Sequence, residues 1–351
     1  MSKQPHQSVI YWLLSGCFLT YLMVLVGCIT RLTHSGLSIT DWSVMGSLPP
    51  LSETSWNDHF GKYKLSPEFS IINNQMTLDE FKNIFWWEWI HRMIGRTIGL
   101  VFISGFFFFL KKGVFDRKML FKCLVLFSVG ALQGLVGWWM VKSGLTKNPA
   151  VSHFRLATHL ITAFTAFAFT FWFALDWIFP HSNFSCKDEN SKLKKPLLLF
   201  FGLLIFQTVY GAFVAGLKAG KFYPTWPKMG NEWFPTDTIL SGDSIWFNFL
   251  SNGAGVQFVH RTFAWVVVGM VLWLWIRANK LKLSNSMNKG ITMLIYLTTL
   301  QIFLGIFTLI YQVPVILGVL HQTTAFILFG TALFLLYHAT SKNLNTSKSP
   351  I

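Results

Sequence analysis

The sequence predicts an all-α membrane protein in which eight transmembrane helices form two tandem, pseudo-symmetric four-helix bundles. Three observations predict this fold. Of the 351 residues, 52% are hydrophobic and only 12% are charged, a composition typical of proteins that cross a bilayer several times. The apolar residues fall into eight long segments. Short motifs of the first half recur in the second half.

The eight apolar segments are each long enough to cross the hydrocarbon core of a bilayer as a helix. They are predicted at residues 9–29, 85–110, 118–141, 154–179, 196–217, 252–276, 290–311 and 315–338. The first segment is too long for the apolar part of a signal peptide, and no small-residue cleavage site follows it. We therefore expect it to be retained as a helix.

The basic residues indicate how the chain is oriented. Lys and Arg number 29 against 14 Asp and Glu, for a net charge of +15. Such a charge can indicate nucleic-acid binding, but here much of it lies in the short loops after the second, fourth and sixth segments, where it sets topology. Both termini are predicted in the cytoplasm, or in the matrix of an organelle. The expected location is the bacterial cell membrane or the mitochondrial inner membrane.

The two halves of the chain match each other locally and in the same direction, which indicates a parallel repeat. The matched pairs include Gly27 and Gly211, Trp42 and Trp226, His91 and His260, Gln133 and Gln301, and His159 and His321. We expect a first bundle in residues 1–180, a polar linker in 181–195 and a second bundle in 196–351. Two long loops, at about residues 30–84 and 217–251, are expected to cap the bundles on the outer side.

Four histidines occupy matching places, each near the start of an apolar segment. They are His91, His159, His260 and His321. A single histidine on an apolar helix is commonly a hydrogen-bonded core residue, but ionisable groups inside membranes tend to be functional. Two histidines that face each other in a four-helix bundle can hold a haem iron from both sides. The pattern predicts two haems, with metal-free proton relays as the alternative, and the ligands needed for a tetrahedral zinc site are missing.

One carboxylate breaks this symmetry. Glu88 precedes His91 by three residues and shares its helix face, whereas Gln257 stands at the matching position before His260. Two interpretations remain open, a structural salt bridge to a nearby arginine or an acid placed beside a substrate at His91. An unduplicated acid on a duplicated scaffold favours an enzyme over a simple electron carrier.

Arg92 and Arg261 each follow a bundle histidine. Guanidinium groups clamp carboxylates, so both are candidate contacts for haem propionates. The alternative is that they extend to the membrane interface. Arg31 is a further candidate for such a contact.

Several motifs, which together span roughly residues 10–340, resemble those of the haem A synthase family. They are TRLTHSGLSITDW, PEF, EFKNIFWWEWIHRMIGR, GWWMVKSGL, AGLKAGKFYPTWPKMG, NGAGVQFVHR and VPVILGVLHQ. The resemblance is strongest to the mitochondrial and proteobacterial-like branch, which has no cysteine pairs in its outer loops.

The resemblance implies oxidation of the C8 methyl group of haem O to a formyl group by successive hydroxylations, which gives haem A for cytochrome oxidase. By position, His260 and His321 would ligate a resident haem B, His91 and His159 would flank the substrate haem, and Glu88 would be the essential acid. Haem O synthase and an electron-transfer protein are the implied partners. The residues themselves leave a dihaem electron-transfer cytochrome open as the alternative, and a haem transporter or insertion factor as a third interpretation.

Overall fold

The computed structural model describes residues 7–41, 49–146, 149–179, 187–242 and 244–340, and the chain in these ranges is almost entirely helical. The helices are α1 Gln7–Leu32, α2 Glu53–Lys64, α3 Pro67–Ile71, α4 Leu78–Lys111, α5 Arg117–Gly144, α6 His153–Ile178, α7 Lys187–Ser191, α8 Lys194–Gly216, α9 Thr236–Ile239, α10 Ile245–Leu250, α11 Gly253–Ala278, α12 Asn285–Ile310 and α13 Val315–Thr340. A short 3₁₀ helix, Ala219–Lys221, follows α8.

Eight helices in the described ranges are long and apolar enough to cross a membrane. They are α1, α4, α5, α6, α8, α11, α12 and α13. Their number and order confirm the predicted segments. Helices suit this environment because they satisfy every interior backbone polar group within the segment.

The predicted start of the second spanning helix, at residue 85, is wrong. Helix α4 begins at Leu78, where Thr77 and Glu80 form a capping box, an arrangement that satisfies free backbone N–H groups at a helix start. Phe81 and Phe85 are fully buried on this first part of the helix. Residues 78–84, which the prediction placed in the loop, therefore extend the spanning helix beyond its most apolar part.

The long connection between α1 and α4, here called the first cap (residues 33–77), has its own hydrophobic core. Ile39, Phe60 and Tyr63 pack against Phe81 and Phe85 of α4. Each buried aromatic or aliphatic side chain contributes about 1.5–3 kcal/mol, so this core holds the described part of the cap against the end of α4. Residues 42–48, which include the matched Trp42, lie outside the described ranges.

Equivalent helices make equivalent contacts in the two halves of the chain. Helix α1 packs along α4 and α6, and α5 packs along α6; in the second half, α8 packs along α11 and α13, and α12 along α13. The halves meet through α1, α6, α8 and α13. These contacts fit the predicted repeat. The division into two bundles joined by a linker at 181–195 stays a prediction, and residues 180–186 lie outside the described ranges.

Candidate functional site

Each of the four histidines rests against a glycine on a neighbouring helix. A Cβ atom added to that glycine would lie 2.9–3.2 Å from the Cε1 atom of the imidazole. The pairs are Gly27 with His91, Gly137 with His159, Gly211 with His260, and Gly305 with His321. Any side chain at these glycines would push against the ring, so the four imidazoles are seated in the same way.

The structure brings the four histidines together two by two. His91 lies near His159, and His260 lies near His321; that each pair holds a haem stays a prediction. The Nδ1 atoms of His91, His260 and His321 are buried without a hydrogen-bond partner, although each residue as a whole keeps some accessible surface. Imidazole rings that are buried at Nδ1 and belong to partly accessible residues fit ligation of a haem iron. At His321 the Nε2 atom lies 3.5 Å from Gln301 Nε2.

Glu88 accepts four hydrogen bonds. Arg92 Nε and Nη2 donate to Oε1 at 3.0 and 2.6 Å. Ser38 Oγ and the backbone N–H of Ile39 donate to Oε2 at 2.7 and 2.8 Å. The residue is only 3% exposed. Of the two interpretations left open by the sequence, the salt bridge is therefore present, and its partner is Arg92.

Arg92 also fastens the first cap to α4. Its Nη2 and Nη1 atoms donate to the backbone carbonyls of Ile39 and Asp41 at 2.7 and 2.9 Å. Arg261 does the same in the second half, where its Nη2 donates to the carbonyls of Thr225 and Pro227 at 3.0 and 2.9 Å. The two arginines thus hold equivalent loops at equivalent places.

The two arginines differ in whether their Nη1 atom has a hydrogen-bond partner. Arg261 Nη1 is buried without a hydrogen-bond partner, which suits an anionic group such as a propionate. The corresponding Nη1 of Arg92 donates to the carbonyl of Asp41, and its Nε and Nη2 donate to Glu88. Arg31 donates Nη1–H to the carbonyl of Ala215 on α8, so this candidate lies where the two halves meet.

Three glutamines were missed as site residues by the sequence analysis. Gln133, Gln207 and Gln301 each donate to the backbone carbonyl of a site histidine on the neighbouring helix. The signal was present, because each glutamine stands four residues before one of the seating glycines. The repeat pairs Gln133 with Gln301, but the sequence analysis gives neither residue a role.

The space between the second and third helices of each half differs. In the second half α11 packs along α12, whereas the backbones of the corresponding helices α4 and α5 lie farther apart. Three glycines on α4 and α5 have nothing within 4 Å of an added Cβ atom. At the matched positions the second half has larger residues, which line a groove between α11 and α12. The matched pairs are Gly99 and Val268, Gly130 and Thr298, and Gly134 and Ile302.

Comparisons with known proteins agree with this architecture. A family model described as cytochrome oxidase assembly protein matches residues 10–333. A protein named Heme A synthase from Flavobacterium psychrophilum is 47% identical over 336 residues, which cover 95% of this chain and 98% of the relative. A second protein named Heme A synthase, from Flavobacterium johnsoniae, is 45% identical over 97% of this chain and 100% of the relative. A third, from Parvibaculum lavamentivorans, is 40% identical over 94% of this chain and 93% of the relative. The chain therefore belongs to the haem A synthase family of cytochrome oxidase assembly proteins.

Proposed function

We propose that the protein oxidises the C8 methyl group of haem O to a formyl group and so produces haem A. Each of two successive hydroxylations replaces a C–H bond of the methyl carbon by C–OH, with the oxygen from water, and releases two electrons and two protons. The electrons pass to an electron-transfer partner, and the resulting geminal diol loses water to leave the aldehyde. The observation that carries the proposal is the pairing of duplicated histidine seats with one unduplicated, buried carboxylate at Glu88.

The second half is proposed to hold the resident haem B through His260 and His321. The support is the pair of glycine-seated rings, each with a buried and unpaired Nδ1. The buried Nη1 of Arg261 would hold a propionate. When bound, haem B supplies one-electron transfer with the substrate haem.

The first half is proposed to bind the substrate between His91 and His159. Haem O differs from haem B by a long isoprenoid chain, so its site needs an additional apolar channel. The space between α4 and α5 suits this need. In the second half Val268 and Ile302 line a groove of about 160 Å³, and at the matched positions of the first half Gly99 and Gly134 leave more open space between helices whose backbones lie farther apart. This difference between the halves is independent of Glu88 and also supports assigning the substrate haem to the first half.

Glu88 is proposed to act as a fixed negative charge beside the substrate. Both of its oxygens already accept hydrogen bonds from Arg92, Ser38 and Ile39. The carboxylate is therefore held by donors on both of its oxygens. It is well placed to stabilise positive charge that develops at the methyl carbon, since its donors hold it in position before the reaction.

The rival function is a dihaem electron-transfer cytochrome, which would need the same four histidines. Extraction and chromatography of the bound haems from purified protein separate the two. Haem B together with haem O, a hydroxylated intermediate or haem A is the expected result. Haem B alone, in protein made in cells that also produce haem O, would contradict the proposal and support the rival.

A further inference from the structure

Three of the four site histidines are supported by a glutamine, and the fourth is not. The glutamines stand four residues before the seating glycines, and Met23 takes this place before Gly27. The supporting bonds run from Nε2 to the histidine carbonyl, from Gln133 to His159 (3.2 Å), Gln207 to His260 (3.0 Å) and Gln301 to His321 (3.1 Å). Each glutamine thus ties the helix that carries its histidine to the neighbouring helix.

Two of these amides also approach the imidazole ring of the histidine that they support. Gln133 Nε2 lies 3.3 Å from His159 Nδ1, and Gln301 Nε2 lies 3.5 Å from His321 Nε2. An amide group next to the ring restrains how far the ring can turn. The bond that all three glutamines share is the one to the backbone carbonyl, which holds the helix that carries the histidine.

Met23 provides no such bond. Its terminal methyl group lies 3.3 Å from the position of an added Cβ on Gly95, one turn beyond His91. A thioether has no N–H to donate to a carbonyl and is only a weak acceptor. His91 Nδ1 stays buried and unpaired. Among the four histidines, His91 is therefore the one whose backbone carbonyl receives no amide hydrogen bond from the neighbouring helix.

We infer that His91 is the releasable ligand of the substrate haem, and that Met23 makes it so by withholding the hydrogen bonds given to the other three. The inference rests on the proposed function, in which a haem must enter and leave the first half at every turnover while haem B stays. Loss of such outer hydrogen bonds weakens metal binding by about 10- to 100-fold. Release at His91 opens the face of the substrate on which Glu88 lies, because both residues share one face of α4.

The test measures haem release without turnover. Purified protein is loaded with haem O under nitrogen, and an excess of apomyoglobin takes up whatever haem is released, as followed by absorbance. Met23→Gln supplies the missing amide and should slow release of haem O by about tenfold. Its low-spin, six-coordinate signal in electron paramagnetic resonance should also increase. Gln133→Met removes an existing amide from the same half and should speed release of the same haem.

Two further variants identify the cause. Leu25→Gln adds the same amide to the opposite side of α1 and should release haem O at the native rate. Met23→Leu removes the sulfur without adding an amide; slow release in this variant as well would overturn the inference. In the second half, Gln207→Met should speed the release of haem B.

Failure of this inference is distinguishable from failure of the proposed function. Protein that takes up no haem O in addition to its haem B would contradict the proposed function itself. Protein that takes up haem O, but releases it at one rate in the native, Met23→Gln and Gln133→Met forms, would contradict only the role given to Met23.

Discussion

Glu88 and Gln257 occupy equivalent positions before a site histidine, yet Glu88 accepts a hydrogen bond from its loop, whereas Gln257 donates one to its loop. Glu88 accepts the backbone N–H of Ile39 at 2.8 Å, whereas Gln257 donates to the backbone carbonyl of Tyr223 at 3.1 Å. Both are buried, at 3% and 2% exposure. The loop in front of His260 is therefore held without a carboxylate, and the charge of Glu88 is an addition specific to the first half.

Glu88→Gln should abolish or strongly slow conversion while the fold and the resident haem B remain. The amide keeps an acceptor for Arg92, and Arg92 keeps its bonds to the carbonyls of Ile39 and Asp41. Removal of a preorganised electrostatic group typically costs about 10²–10³ in rate. The measurement is haem analysis of the purified variant, in which haem O or an early oxidised intermediate should accumulate.

Ser38→Ala is the matched control for that experiment, because it removes one hydrogen bond to Glu88 and leaves the charge in place. We expect it to retain most of the conversion rate. If Glu88 were only structural, Glu88→Gln would lower protein yield but make haem A at the normal rate per folded molecule.

His260→Ala and His321→Ala should each remove the resident haem B. Each change deletes a proposed axial ligand and leaves a cavity beside the seating glycine. The loss is measured as disappearance of the reduced haem B absorbance band in purified protein. His91→Ala is the control and should keep that band. Unchanged haem B in both second-half variants would refute ligation by these residues.

Gly134→Ile and Gly99→Val give the first half the residues found in the second, and they should impair binding of haem O but not of haem B. Neither glycine has an atom within 4 Å of an added Cβ, so the fold should tolerate both changes. Binding of haem O by the purified variants is the readout. Gly202→Val, at another open glycine on α8, is the control. Normal haem O binding in both Gly134→Ile and Gly99→Val would contradict the proposed isoprenoid channel.

The first cap should become more stable at neutral and alkaline pH when Glu68 is replaced by Gln. Burial raises the pKa of Glu68 from its ordinary value of 4.5 to about 7; the Tyr63 hydroxyl and Lys218 lower this pKa, and the charge of Glu88 raises it, each by less than burial does. Between pH 4.5 and pH 7, the two values of this pKa, the carboxyl of Glu68 binds more protons in the folded protein than in the unfolded chain. The free energy of opening the cap therefore falls as the pH rises towards 7 and levels off above it.

Glu68→Gln removes this dependence, because an amide can still accept the hydrogen bond of the Tyr63 hydroxyl. At pH 8 the variant should gain up to roughly 3 kcal/mol in the free energy of opening, and at pH 4.5 it should differ little from the native protein. Hydrogen exchange of the backbone amides in α2 measures the difference. An equal gain at both pH values would show that ionisation of Glu68 is not the cause.

The sidedness of the chain is testable with single cysteines in a background whose native cysteines are replaced by serine. Thr146, in the loop after α5, and Ser191, at the end of α7, are both exposed. The basic short loops predict that Thr146→Cys reacts with an impermeant thiol reagent from outside the cell and that Ser191→Cys reacts only after lysis. The reverse labelling pattern would overturn the predicted topology.

The sequence by itself determined the spanning helices, their order and the four histidine positions. Apolar length alone identifies a membrane helix, because a bilayer tolerates no other open arrangement of backbone polar groups. The repeat of motifs then gave the histidines equivalent positions in the two halves. The largest boundary difference, at the start of α4, arose where burial in the first cap takes over from burial in lipid. At that point Phe81 and Phe85 are covered by protein.

The hydrogen-bond partners of these residues are seen only in the tertiary structure. Sequence distance does not reveal that Arg92 shares Glu88 with Ser38 and Ile39, or that the halves differ in the packing of their second and third helices. The exchange of glutamine for Met23 is visible in the sequence, but its meaning appears only when the neighbouring helix carries each histidine to within hydrogen-bonding distance. The physical reason is that local pattern fixes which face of a helix is apolar, whereas the partner of each polar group depends on packing between segments far apart in the chain.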